Sequence, residues 1–265
     1  MKIISWNTNG LRATAKQGFF TPLFSAKGGS ASGGKNAPDI VCLQETKVEP
    51  EQLPEDVRNV PGYFSYFSHS KIKKGYSGVA IYAKEKPKEV FYGMGIKKFD
   101  DEGRIVGIKY KNLTLINVYF PNAGRELLRL DYKLEFYEKF LKFILKLRKN
   151  GEHVIFLGDI NTAHKEIDLA RPKENAENTG FLPIERAWID KVVKNDFVDI
   201  FRKFFPDKTG AYTYWDQKFH SRDRNVGWRI DYFFPSSELV PKIKNTGMLS
   251  EYYGSDHCPI WLEIN

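Results

Sequence analysis

Val154-Ile155-Phe156-Leu157-Gly158-Asp159-Ile160-Asn161 runs from four apolar residues into a glycine, a carboxylate and an amide. Four consecutive apolar side chains suit a strand covered on both faces, because alternate residues of a strand point to opposite sides. The same alternation predicts that Asp159 and Asn161 point to one side, two residues apart, at the strand's end. There a carboxylate and an amide can hold a hard metal ion or a water molecule. Equally, Asp159 can cap a following helix while Asn161 sits in a turn. The segment alone leaves both open, and the rest of the chain has to decide.

Working outward, the same kind of strand recurs. Lys2–Asn7 ends on Asn7 and is followed by an Asn9-Gly10 turn, and Asp39–Glu45 ends on Glu45. Ser77–Lys84 and Arg104–Tyr110 are further strands. Leu113–Phe120 follows a Lys111-Asn112 hairpin turn and ends in Tyr119 before Pro121. Trp228–Phe234 and Cys258–Ile264 close the set, with Gly254–His257 as the loop between them. Leu11–Phe24 predicts an irregular helix interrupted by Gly18 and Pro22, and Lys27–Asn36 a Gly/Ser-rich surface loop. Leu130, Leu134, Tyr137, Leu141, Ile144 and Leu145 make one apolar stripe, which predicts a helix from about Leu127 to Asn150 stopped at Asn150-Gly151. Pro183–Asn195 predicts another. Neither a repeat nor a linker breaks the chain, so one domain over residues 1–265 is expected, with sheets in the middle and helices outside.

Composition narrows the function. Hydrophobic content of 42% and aromatic content of 15% belong to a folded chain with a sizeable core, not a disordered one. No apolar run approaches the roughly 20 residues of a membrane span. Two cysteines make no disulfide framework, and Met1–Asn7 enters a strand pattern without a signal peptide, so a reducing cytoplasm is expected, with nucleoid association if DNA is the partner. A net charge of +8 points to an anionic partner, nucleic acid first.

The strands keep ending on polar residues that a core does not need: Asn7, Glu45, Tyr119, Asp159 with Asn161, Asp231, and the Asp256-His257 pair. If these ends share one sheet edge they form one cleft. Oxygen ligands dominate the set, which favours Mg²⁺ or Mn²⁺ over zinc, with Glu45 and Asp256 as the expected carboxylate ligands. A carboxylate such as Asp231 on one nitrogen of His257 would raise its pKa and aim the other nitrogen at substrate, where an imidazolium can stabilise phosphate charge.

Seven segments, in order, then carry a family resemblance. They are Ile4–Arg12 (Ile-Ser-Trp-Asn-Thr-Asn-Gly-Leu-Arg), Leu43–Lys47 (Leu-Gln-Glu-Thr-Lys), Gly75–Val79 (Gly-Tyr-Ser-Gly-Val) and Tyr119–Asn122 (Tyr-Phe-Pro-Asn). Gly158–His164, Asn225–Tyr232 and Gly254–Pro259 complete them. The chain resembles exonuclease III-type apurinic/apyrimidinic (AP) endonucleases of the endonuclease/exonuclease/phosphatase superfamily. The resemblance implies a four-layered α/β sandwich, two packed mixed β-sheets flanked by helices, with the site at one edge. It implies Mg²⁺-dependent hydrolysis (Mn²⁺ substituting) of the phosphodiester 5′ to an abasic site in double-stranded DNA, leaving a 3′-hydroxyl and a 5′-deoxyribose phosphate, by a monomer. A 3′→5′ exonuclease, a 3′-phosphatase or a damaged-nucleotide incision activity are the side reactions such a site can run.

Carried over residue by residue, Glu45 is a metal ligand, with Asn7 and Asp256 close and Asp159, Asn161 and His257 at the same centre. Asp159 would orient or deprotonate the attacking water, and Asn161 would hold that water or the phosphate. Tyr119 would contact the scissile phosphate or help the leaving group, and His257, paired to Asp231, would stabilise phosphate charge. Tyr214, Trp228 and Ile230 would wall a small apolar pocket for the abasic sugar. Arg125 would enter the duplex from the loop that follows Asn122, and Arg12, Tyr76, Asn122 and Asn225 would contact DNA. Asn9 stands where some relatives have Asp. Two alternatives stay open beside this one: a phosphodiesterase or phosphatase of the same fold acting on lipid or RNA, and a binding module without turnover.

Overall fold

Alternation along the central strands builds the layers. In β1 (Lys2–Asn7), Ile3 faces inward while Ile4 and Trp6 face outward, and in β8 (Val154–Asp159) Ile155 and Leu157 face inward while Val154 and Phe156 face out. Every one of these side chains is buried, which is why the sequence shows unbroken apolar runs. The inward set forms the core between two sheets. It includes Ile3, Cys42, Ile81, Ile108, Leu115, Ile155, Leu157 and Leu262. Each large side chain removed from water there contributes roughly 1.5–3 kcal/mol to holding the two sheets together.

The structure, a computed structural model, describes residues 1–25 and 37–265, so the Gly/Ser-rich stretch expected as a loop lies outside the described residues. The first sheet runs β10 (Ile243–Met248), β11 (Ile260–Ile264), β1, β2 (Ile40–Gln44), β4 (Val79–Ala83), β3 (Phe64–Ser68). The second runs β5 (Glu89–Tyr92), β6 (Ile105–Lys109), β7 (Thr114–Tyr119), β8, β9 (Asp231–Pro235). Among the described residues each sheet has one parallel pair, β1 with β2 and β7 with β8, and is otherwise antiparallel. In register, Asn7 lies beside Gln44, and Asp159 is flanked by Tyr119 and Asp231. The parallel pairs thus bring the polar strand ends to one edge.

Helices cover the outer faces. α1 (Leu11–Lys16) and α2 (Glu55–Arg58) pack on the first sheet through Leu11 and Val57. On the second sheet α4 (Leu130–Lys149) and α5 (Pro183–Lys194) close an aromatic core of Phe120, Phe136, Phe140, Phe156 and Trp188. Short helices α3 (Lys97–Asp100) and α6 (Ile200–Phe204) fill the flanks. No helix among the described residues is long and apolar enough to cross a membrane.

Several sequence expectations need correction. The helix expected over Leu11–Phe24 is two pieces, α1 and a 3₁₀ turn at Thr21–Phe24, because Gly18 takes φ +81° and Pro22 has no amide hydrogen to continue an α-helix. The strand expected from Trp228 begins only at Asp231. Trp228 pairs instead in isolated bridges with Tyr214 and Leu169. α4 starts at Leu130, after a turn in which Glu126 and Leu127 hold positive φ. Three strands, β3, β5 and β10, have no counterpart in the sequence pattern.

Candidate active site

Asp159 owes its position to the glycine before it. Gly158 has φ +130°, and a Cβ there would lie 2.1 Å from the Val118 carbonyl oxygen, so only glycine lets β8 stay against β7 at this point. The chain then turns. The Asn161 amide donates to Asp159 Oδ1 at 2.7 Å, and Asn161 holds φ +54°. Asp159 and Asn161 do meet, with Asn161 Nδ2 3.3 Å from Asp159 Oδ2, but through this Asx-type turn, because the strand has ended at Asp159. The turn itself brings the two side chains together. Asn161 Nδ2 also donates to the Phe120 carbonyl at 2.9 Å, and its Oδ1 accepts from Asn122 Nδ2 at 3.2 Å.

Across the gap between the sheets, Asn7 Nδ2 donates both to Asp159 Oδ2 at 2.8 Å and to Glu45 Oε1 at 2.9 Å. One amide from the first sheet thereby spaces two carboxylates from different sheets. The Lys47 ammonium lies 2.8 Å from Glu45 Oε2 and also donates to Asn9 Oδ1. Burial works against the charge on Glu45, but Lys47 and the Asn7 amide outweigh it and hold its carboxyl below the usual range. Asn9 Nδ2 donates to Asp256 Oδ2 at 2.9 Å, so this side chain serves here as a donor to a carboxylate.

His257 is held from one side by Asp231, whose Oδ2 is 2.8 Å from Nδ1, while Nε2 lies 4.0 Å from Asp159 Oδ2. Burial disfavours the imidazolium, yet Asp231, then Asp159 and Asp256, outweigh it and push the ring's pKa well up. Asp159 is also raised, chiefly by burial and then by the nearby Asp231 and Glu45 charges. This crowding of negative charge is what a cation would relieve. Glu45, Asp159 and His257 bring polar side-chain atoms within 4.8 Å of one another, and with the ring held as an imidazolium the two carboxylates are the ligand atoms of this group. With Asn7 and Asp256 beside them the donor set is mostly oxygen, which fits a hard divalent ion.

Tyr119 lies at the same edge with its ring under the Arg104 guanidinium at 4.8 Å, and burial, then Glu45, push its phenol up so that it stays protonated. Next to these groups opens a cleft of about 520 Å³ lined by Glu45, Tyr119, Asn122, Asn161, Tyr214, Trp228, Ile230, Asp256 and His257 among others. Tyr214, Trp228 and Ile230 pack with Ala163, Leu169 and Phe181 as its apolar wall. Arg12 and Arg125 are exposed on the surface. Two expected DNA contacts are engaged within the protein. The Tyr76 hydroxyl accepts from Arg104 Nη2 at 2.7 Å and from Arg129, and Asn225 is bonded to Trp215 Nε1 and the Gly210 carbonyl. Sequence reasoning missed the support beneath Asn161. Lys133, wholly buried on α4, donates to the Asn161 carbonyl at 2.7 Å and to Glu185 at 2.6 Å. No local signal separates these two charges from the solvated ones around them.

Two packed sheets carrying a buried carboxylate–amide–imidazole centre at a shared edge define an α/β-sandwich hydrolase. The chain belongs to the endonuclease/exonuclease/phosphatase family, whose model matches residues 4–257. It is 41% identical to the exodeoxyribonuclease of Bacillus subtilis (strain 168), with all of both chains covered. It is 42% identical to the DNA repair nuclease APEX1 of Danio rerio, covering 99% of this chain and 81% of that one. Among solved structures it superposes on the AP endonuclease LMAP of Leishmania major with TM-score 0.87 at 28% identity, covering all of this chain and 87% of that one. The 3′-5′ exonuclease NExo of Neisseria meningitidis gives TM-score 0.86 at 25% identity with both chains fully covered.

Proposed function

We propose that the chain is a DNA-repair endonuclease that hydrolyses the phosphodiester 5′ to an abasic site in double-stranded DNA. The observation that carries this is the adjacency of the Asp159–Asn7–Glu45 and His257–Asp231 groups to a cleft walled by Tyr214, Trp228 and Ile230. Full-length similarity to a DNA repair nuclease and an exodeoxyribonuclease supports DNA as the substrate.

A water held between Asp159 and Asn161 attacks phosphorus. Its proton passes to Asp159 as the new P–O bond forms and the P–O3′ bond breaks. The departing 3′ oxygen takes a proton, with the buried Tyr119 phenol as the nearby donor, and the phosphate stays on the abasic sugar. His257, kept cationic by Asp231, faces the charge that builds on the phosphate oxygens. Glu45, with Asn7 and Asp256, would hold Mg²⁺, or Mn²⁺ in its place, which supplies Lewis-acid charge at the phosphate. An abasic sugar reaches the pocket cheaply, because turning it out of the duplex breaks no base pair and little stacking. Trp228 and Tyr214 then limit the room for an intact nucleotide. Exposed Arg12, Asn122 and Arg125 engage the duplex as a monomeric enzyme tracks it, and Tyr76 and Asn225 do so after releasing part of their internal bonds.

The test is a pair of duplexes identical except for one abasic site. Nicking confined to the abasic strand, directly 5′ to the lesion, is expected. Equal cutting of both duplexes would leave a non-specific nuclease instead.

A further inference from the structure

The Asp256-His257 segment sits in the connection between β10 and β11, where His257 makes an isolated bridge to Tyr214. Its neighbour in space is the connection that carries Trp215 and Arg222. The Trp215 amide donates to the Asp256 carbonyl at 2.9 Å, and the Cys258 amide to the Thr213 carbonyl at 2.8 Å. Arg222 does more than either. Its Nη2 donates to the Ser250 carbonyl at 2.6 Å and the Tyr252 carbonyl at 2.7 Å, and its Nη1 to the Ser255 carbonyl at 3.2 Å. Three carbonyls of one loop converge on one guanidinium, which also lies over the Trp215 ring at 4.7 Å and the Tyr253 ring at 4.3 Å.

From this geometry we infer that Arg222 is a positioning residue for catalysis: it fixes the loop that delivers Asp256 and His257 to the centre. The path is short. Ser255, whose carbonyl Arg222 holds, donates from Oγ to the Asn7 carbonyl at 2.8 Å, with Asp256 Oδ1 at 3.1 Å as the alternative acceptor, and its Oγ accepts from the His257 amide at 3.2 Å. Gly254 just before it takes φ +103° against Phe19, where a Cβ would come to 2.5 Å, so the loop also packs closely on that side chain. Arg222 therefore acts through Ser255 and through Trp215, and touches neither substrate nor metal itself. Only arginine suits the place. A planar, permanently charged fork can serve several carbonyls in its plane and two rings on its faces, whereas a lysine ammonium is a point donor that cannot stack in the same way.

The inference rests on the proposed cleavage reaction, so the wild-type protein is assayed beside the variants. Single-turnover nicking of an abasic duplex, the Mg²⁺ concentration for half-maximal rate, and DNA affinity in chelator are measured for Arg222→Gln and Arg222→Lys. Both variants should nick about tenfold more slowly or worse, in line with the sensitivity of rate to small misplacements. Both should also need severalfold more Mg²⁺, while DNA affinity stays within about twofold. Nicking by Arg222→Gln at the wild-type rate and Mg²⁺ requirement overturns the inference. So does a loss that appears only in DNA affinity and its salt dependence and is rescued by Arg222→Lys, since that marks a phosphate contact. Should Arg222→Gln not fold, Tyr253→Ala removes one of the two rings by truncating a side chain that is 51% exposed, and a severalfold slower rate supports the inference while a wild-type rate overturns it. Failure of the wild-type protein to nick at all would refute the cleavage reaction and not the role of Arg222.

Discussion

Replacing Asp231 with Asn removes a charge from the centre with little change of shape. The Asp231–His257 bond is 2.8 Å long between side chains that are 2% and 5% exposed, so solvent screens it little. The carbonyl oxygen of the introduced amide can still accept from the ring, but the bond becomes neutral. Hydrogen bonds to a charged group contribute about 1.5–3 kcal/mol against about 0.5–1.5 for neutral ones, a difference of about 1–2 kcal/mol. If His257 works as a cation, that difference appears in the transition state, where phosphate charge develops, and the single-turnover rate should fall by roughly 5- to 30-fold. Substrate affinity, measured by anisotropy of a labelled abasic duplex in chelator, should hold within about twofold. A larger fall is expected for Asp231→Ala, which also leaves the ring unoriented. A rate for Asp231→Asn within twofold of wild type would refute the assignment of His257 as a charged stabiliser. So would an equal loss of binding and rate, which would mark a structural lesion.

Further outcomes follow from particular contacts. Asp159→Asn keeps the shape of the turn with Asn161 but removes the proton acceptor, so turnover should fall by about three orders of magnitude or more with DNA binding retained. His257→Ala should fall comparably in the same assay. Arg125→Ala, at an exposed position, should weaken binding and lower the slope of log affinity against log salt by about one, while the rate at saturating DNA changes little. Acid should unfold the protein partly through Asp168. Its side chain is fully buried against Arg229 and Arg202, and although burial favours the neutral acid, the two guanidinium groups outweigh it and hold the carboxyl down at about 2, against an ordinary 3.8. A folded pKa below the unfolded one means stability that is complete above about pH 4 and lost as pH falls towards 2. The drop is worth about 2 kcal/mol. Urea midpoints between pH 5 and 2 should show Asp168→Asn to be destabilised at pH 5 and the gap to wild type to shrink in acid.

The central strands were legible because both of their faces are buried, so β1, β2, β7 and β8 appear as apolar runs. β3, β5 and β10 were not, because each is at the end of its sheet and carries exposed or half-buried positions. An edge strand needs only one partner and tolerates polar residues, so its pattern fades. Within the site, the residues at strand ends could be read one by one, and the family resemblance grouped them. The way they are joined could not be read. Alternation put Asp159 and Asn161 together for the wrong reason, since the contact is made by a turn with Asn161 at positive φ. Asn7 reaches Asp159 across 152 positions of the chain, and Lys133 reaches Asn161 across 28. Lys47 is close to Glu45 in sequence, yet its pairing with that carboxylate depends on the fold around both and not on a local pattern. Arg222 shows the same thing, reaching the Ser255 carbonyl across 33 positions.

The chemistry at the strand ends is tested most directly by the ends it leaves on DNA. A duplex with one abasic site, incubated with Mg²⁺ or with chelator, is resolved by mass spectrometry of the products. Hydrolysis by Asp159-activated water predicts a 3′-hydroxyl fragment and a 5′-deoxyribose phosphate fragment with Mg²⁺, and intact strands in chelator. Products of β-elimination, with an unsaturated sugar on the 3′ end, or equal cutting in chelator would contradict it.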